Sequence, residues 1–162
     1  MAKITFPGQE EFGEKLRQLE AAFMSDEPLE RAVAKGAKPV ADEIRNRLGG
    51  VPAQKFRRLY GDDQFTSLSE SEKGDLLASF GLTPVKNDKG YIHTKAGFDG
   101  YGSHPTKGYP QGVPNQLVAR AVESGSSVRQ KHPFVRPAVN STKNDAIREM
   151  EKSIDEDLKK IF

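Results

Sequence analysis

Few side chains in this sequence are of a type and spacing that do chemistry. The three histidines are His93, His104 and His132, and no two share the three- or four-residue spacing that puts a pair of imidazoles on one helix face for a metal. Ser124-Gly125-Ser126-Ser127 lacks the flanking glycines of a hydrolase nucleophile turn and reads as a flexible Ser/Gly connection. Asp62 and Asp63 are adjacent, and adjacent carboxylates diverge on any regular backbone, whereas acid–base work needs them to converge on a substrate. There is no Gly-rich phosphate cradle ending in Gly-Lys-Ser/Thr and no dinucleotide fingerprint. No catalytic residue, metal ligand or cofactor is therefore expected. Arg57 and Arg58, interleaved with Phe56 and Tyr60, have the cation–aromatic mixture of single-strand binders, although arginine stems covering an apolar turn explain the same four residues.

Whatever these residues do, the elements around them must hold them. Phe12, Leu16, Leu19 and Phe23 follow a four-three-four spacing that predicts a helix starting near Gln9, with Glu10, Glu11 and Glu14 at its positive end. Ser25-Asp26-Glu27-Pro28 reads as a stop and a fresh start. A second helix follows on Leu29, Ala32, Val33, Ala37, Val40, Ala41, Ile44 and Leu48, ended by Gly49-Gly50, with a kink or break expected at Gly36 and Pro39. Residues 51–71 carry a weak amphipathic turn at Gln54–Tyr60 and then turn chemistry through Ser71, before a short helix around Gly74–Phe80.

Leu82 and Val85 on one side and Tyr91–Phe98 on the other flank Asn87-Asp88-Lys89-Gly90, which predicts a hairpin. Residues 99–114 are dense in Gly and Pro and read as a mobile surface loop. Asn115–Glu123 is a short helix or strand. After Pro133 a last helical segment carries an apolar stripe of Phe134, Ala138, Ile147, Met150, Ile154, Leu158 and Ile161. An interruption is expected at Asn140-Ser141-Thr142, with Ser141 or Thr142 capping the final piece. Helices, then a hairpin, then helices argue an α+β fold: an antiparallel sheet with helices packed on one face.

The chain has 162 residues, 25 Lys plus Arg against 23 Asp plus Glu, and no Cys. That length suits a single domain, with variable loops at about 49–70 and 99–114. The absence of Cys excludes disulfide frameworks, thiolate metal sites and cysteine nucleophiles. A formal net charge of +2 is too balanced for a protein that coats nucleic acid, although residues 71–142 hold nine bases against five acids. No apolar run approaches eighteen residues, and the first residues have no signal-peptide pattern, so an intracellular protein with no membrane span is expected.

Four segments carry a more specific signal: Lys35–Glu43, with Gly36 and Pro39; Gly74-Asp75-Leu76 and on to Phe80; Val122–Ser126, with Glu123 and Gly125; and His132-Pro133-Phe134-Val135-Arg136-Pro137-Ala138 ahead of a charged helix. In this order they resemble the head–tail joining, tail-completion proteins (putative tail components) of lambda-like siphophages. Lys73, Phe80 and Ser126 depart mildly from that family's Thr, Ile and Thr. The resemblance fails over about 49–70 and 99–114. It implies the same α+β fold, no enzyme activity, and a ring subunit of the phage neck with sixfold symmetry. The partners it implies are a head-completion protein and the tail terminator or tail tube, with DNA passing through the lumen. Its place would be the virion, after assembly in the host cytoplasm. The residues alone leave a nucleic-acid-binding module on Phe56, Arg57, Arg58 and Tyr60, or a small hydrolase or metal-dependent enzyme, as other readings. An Arg136–Glu123 side-chain pair is expected to tie the Gly125 turn to the last helix.

Overall fold

The computed structural model describes residues 9–54 and 68–161. Arg57, Arg58 and the Asp62-Asp63 pair lie outside the described residues. Helix α1 (Gln9–Met24) and helix α2 (Glu27–Gly50) begin and end where the sequence predicts, with Pro28 in the first turn of α2. Strand β1 (Ala53–Gln54) pairs in parallel with β2 (Leu68–Ser69), and α3 (Glu70–Ser79) follows. Strands β3 (Phe80–Leu82), β4 (Lys86–Asp88), β5 (Tyr91–His93) and β6 (Ala96–Phe98) form a nested hairpin. Helices α4 (Asn115–Ser124) and α5 (Val135–Lys159) complete the α+β fold, with the helices at the N-terminal side and the long C-terminal helix as expected.

α2 and α5 form the antiparallel spine. Arg31 bonds Asp157 (2.9 Å) and Lys35 bonds Glu156 (2.9 Å) near one end, while Arg47 reaches the Ser141 hydroxyl (3.5 Å) near the other. Of the kink or break expected at Gly36 and Pro39, the break does not occur, and α2 is one helix through both. An interior proline costs a helix about 3 kcal/mol, but here the helix is held along its length by α5, and tertiary packing outweighs local propensity. The interruption expected at Asn140-Ser141-Thr142 is absent for a related reason. Instead of capping, the Ser141 and Thr142 hydroxyls donate back to the Ala138 carbonyl (3.0 and 2.7 Å), satisfying themselves inside a continuous α5.

The buried face of α5 also differs from the expected stripe. Ala138, Thr142, Ala146, Ser153 and Asp157 are buried, whereas Ile147 is 52% exposed. Small residues line this seam because the helices approach closely. A methyl group placed on Gly36 would lie 2.4 Å from Met150 Cε and 2.9 Å from the Ala146 carbonyl oxygen.

α3 starts four residues before the expected helix. Ser69 accepts from the Glu72 amide (3.1 Å) while Glu72 accepts from the Ser69 amide (3.0 Å), a reciprocal cap in what reads as serine-rich turn. Lys73 Nζ, at a position where the resembling family has Thr, donates to the Val51 carbonyl (2.9 Å) and ties α3 to the end of α2.

The hairpin connection is two residues, not four. Lys89 (φ 54°) and Gly90 (φ 90°) make the mirror-image turn that matches strand twist. Tyr91–Phe98 is two strands rather than one, because residues 83–85 oppose only 94–95 and shift the register by one residue. Thr83 and Thr94 close that bulge with their hydroxyls. Lys89 is a poor residue for its backbone angle, so Lys89→Asn is expected to raise the unfolding free energy by about 0.5–1 kcal/mol. A rise in the urea midpoint at unchanged slope checks it.

The core lies between α2, α3, α4, the start of α5 and the inward face of the β3–β6 ladder. Leu48, Leu68, Leu76 and Val122 are fully buried there. Phe80 and Phe98 pack tilted at 5.1 Å between ring centroids, and Phe98 meets Phe134 edge-on at 6.0 Å. α4 buries Asn115, Val118, Ala119 and Val122, the stripe of an amphipathic helix, which resolves the helix-or-strand ambiguity.

Candidate functional site

The residues singled out in the sequence fall into three places. The main one is the joint between α4 and α5. Glu123, on the last turn of α4, accepts from three consecutive backbone amides at the start of α5: Phe134 (2.7 Å), Val135 (2.8 Å) and Arg136 (3.0 Å). These are the first amides of the helix, which have no partner within it, and a carboxylate there also meets the positive end of the dipole. The expected Arg136–Glu123 side-chain pair is therefore corrected. The contact is made by the Arg136 backbone amide, and the guanidinium acts on Glu123 only through its charge.

Burial opposes ionisation of Glu123. The three amides and the charge of Arg136 outweigh it and hold the carboxyl below its ordinary range. A carboxylate engaged this way is a fastener for backbone, not a base.

The turn between the two helices makes the joint possible. Gly125 has φ 78°, and a Cβ there would sit 3.0 Å from Lys131 Cβ, so this position takes glycine for both reasons. Phe134 inserts into the core at 1% exposure. Arg136 faces solvent. Pro133 and Pro137, with Glu123, Lys131 and Arg136, line a shallow cleft of about 360 Å³.

Gly74, Asp75 and Leu76 form the second place. Leu76 is core. Asp75 accepts from the Ser103 amide (2.7 Å) and from the Ser103 hydroxyl, which anchors segment 99–114 on α3. The expectation of a mobile loop is corrected here. The segment is closed by a Gly102 amide to Val113 carbonyl bond (2.9 Å) and by mutual Thr106–Tyr109 bonds (2.9 and 3.0 Å). At its base the side chain of Asn115 donates to the Asp99 carbonyl (2.8 Å). Gly112 is structural there, since it has φ 98° and a Cβ on it would collide with the Gly102 carbonyl oxygen at 2.0 Å.

Gly36 and Pro39 make up the third place, on α2. Gly36 packs on Met150 and Ala146 in the far half of α5, so the structure does not bring it to the joint.

The sequence reading missed a buried ion pair. Arg129, 9% exposed, donates to Glu72 through its two terminal guanidinium nitrogens (3.0 and 2.5 Å) and so fastens the α4–α5 turn to the cap of α3. The Ser69-x-x-Glu72 spacing marks the cap in the sequence, but nothing local marks its partner 57 residues away.

The histidines stay apart. His93 stacks on Tyr91 at 5.1 Å with Nε2 3.6 Å from Asp88, and among the described residues no three His, Asp or Glu side chains converge as metal ligands. No described helix is long and apolar enough to cross a membrane. No family model, curated protein or solved structure matches the chain.

Acid should undo the joint in a defined direction. Because folding lowers the Glu123 pKa, its contribution is complete above the ordinary carboxylate range and is lost as pH falls through the lowered value. Glu123→Gln is expected to cost about 1–2 kcal/mol at pH 7. Urea unfolding of both proteins at stepwise lower pH should show that gap narrowing. A gap that stays constant to pH 3 contradicts the assignment.

Proposed function

We infer that this chain is a structural, non-enzymatic subunit of the head–tail neck of a tailed phage or prophage, acting in tail completion and head–tail joining as one member of a ring. Its partners on this reading are a head-completion protein on one side and the tail terminator or tail tube on the other. The reading places the chain in the virion neck or tail after assembly in the host cytoplasm, around a lumen open to DNA.

The observation that carries the reading is the constellation of four ordered segments that resemble the tail-completion family. Two features of the fold support it. The residues of those segments act as fasteners: Glu123 caps the Pro-Phe-Val-Arg stretch, Leu76 and Phe134 share a core, and Asp75 anchors a loop. Large apolar side chains also stand exposed, among them Phe12 at 59%, Tyr91 at 70% and Tyr101 at 57%, and a ring would give them neighbours to cover them.

Quantitative mass spectrometry of purified heads, tails and complete virions from the source phage tests the reading. A small fixed copy number in tails or virions is expected. Absence from all three fractions overturns it and brings forward the nucleic-acid reading on Arg57 and Arg58, whose signature is DNA affinity falling steeply with salt.

A further inference from the structure

The two ends of α5 are held in different ways. At the near end, Phe134 and Ala138 belong to the hydrophobic core, and Glu123 fastens the first amides. Ala138 is the last residue of α5 that belongs to that core. Close packing against α2 continues as far as Met150, which meets Gly36. Beyond Met150 the buried positions of α5 are Ser153 and Asp157, both polar. Ile154 and Leu158 are only partly buried and lie outside the core.

Charge takes over where the core stops. α2 is the principal neighbour of α5, and among the described residues two ion pairs join the helices beyond Gly36 and Met150. Arg31 meets Asp157 at 2.9 Å, and Lys35 meets Glu156 at 2.9 Å. Arg31 is shared, since Glu27 stands 3.7 Å from it on its own helix. Lys160 also bonds Asp157 (2.8 Å), but from the end of α5 itself, so it steadies that charge without joining the helices. The Asp157 carboxylate is 11% exposed and therefore costly to leave unpaired, whereas Lys35 and Glu156 are both open to solvent and contribute less. The bonds from Lys160 and Arg31 outweigh burial and hold Asp157 below its ordinary range. The bond from Lys35, helped by the charges of Lys152 and Lys160, does the same for Glu156. Their hold is complete above the ordinary carboxylate range and is lost as pH falls through the lowered values. Once both are neutral, Arg31 and Lys35 on one side and Lys152 and Lys160 on the other are charges of one sign.

We propose that residues 151–159 are an acid-released latch, which leaves α2 as a unit beyond the Gly36–Met150 contact while the start of α5 stays seated in the core. Segments with few buried apolar contacts open at a lower free energy than the whole domain, and this one has its two links to α2 on carboxylates. The latch is independent of the ring reading, since it rests only on how the two helices hold each other.

Hydrogen exchange, read by mass spectrometry on peptides from the two ends of α5 and corrected for the intrinsic effect of pH, tests it. At pH 7, Asp157→Asn combined with Glu156→Gln is expected to speed exchange of residues 151–159 at least tenfold over wild type. Residues 135–145 should change less than twofold in the same variant. The wild-type chain, stepped from pH 7 towards pH 3, should release residues 151–159 at a higher pH than residues 135–145. This second series needs no substitution, so it stands whether or not the variant folds. Release of both ends at one pH overturns the proposal, because acid then acts on the whole fold, through Glu123 among others. So does a folded variant whose far end exchanges at the wild-type rate, because the helices are then held there without the two carboxylates.

Discussion

Phe134→Ala should lower the unfolding free energy by about 3–5 kcal/mol. The side chain is 1% exposed, contacts Phe98 edge-on, and enters the core at the residue whose amide Glu123 caps. Its removal empties the space where β6, α4 and α5 meet, and the cap holds the backbone in place so that the space cannot collapse. Domains of this size are stable by only about 5–15 kcal/mol, so a loss of that order leaves a protein with a sharply lower urea midpoint. Phe134→Leu fills most of the same volume and should lose under half as much. Arg136→Ala, two residues on but facing solvent, should stay within about 0.5 kcal/mol of wild type. If Arg136→Ala is nevertheless missing from particles while folding normally, Arg136 is a contact residue. If Phe134→Ala is missing, loss of the fold explains it.

Gly36→Val is the second large effect, at about 3 kcal/mol of destabilisation. Gly36→Ala is the more instructive variant, because two terms oppose. Alanine in a helix interior gains about 1 kcal/mol over glycine. Here its methyl would lie 2.5 Å from Met150 Cγ and 2.9 Å from the Ala146 carbonyl oxygen. The Met150 side chain can turn away, but the carbonyl cannot without parting α2 from α5, so the net sign is unfavourable. Gly74 in α3 has nothing within 4 Å, and there the propensity term stands alone. Gly74→Ala should therefore stabilise by about 1 kcal/mol. Chemical denaturation of the two alanine variants side by side checks the pair, and stabilisation at both positions would mean that the helices are not in close contact at Gly36.

The features legible in the sequence are those decided within a few residues. The acidic start of α1, the Ser25–Pro28 break, the Gly49-Gly50 stop, the α4 stripe and the Gly90 turn are all local chemistry, and the α+β class follows from their order. The misreadings come where a distant partner decides. Pro39 stays helical because α5 lies along α2. Ser141 and Thr142 read as caps, yet their hydroxyls turn back on Ala138. The Gly-rich segment 99–114 is held by Asp75 and Asn115, neither of which belongs to it. At the joint, a glutamate before a glycine turn stands out in the sequence. That it binds three backbone amides depends on the path of the turn from Gly125 to Pro133, which no spacing rule supplies.

The antiparallel spine also has a consequence in time. The Arg31–Asp157 and Lys35–Glu156 clasps join residues 126 and 121 positions apart. During synthesis at about 5–20 residues per second, α2 would wait several seconds or more for the helix that covers Gly36. For that interval Ala32, Ile44 and Leu48 have no α5 to cover them, and such a surface is what chaperones bind in nascent chains. A chain truncated before α5 is therefore expected to aggregate instead of folding to a smaller domain, which light scattering beside the full chain would show.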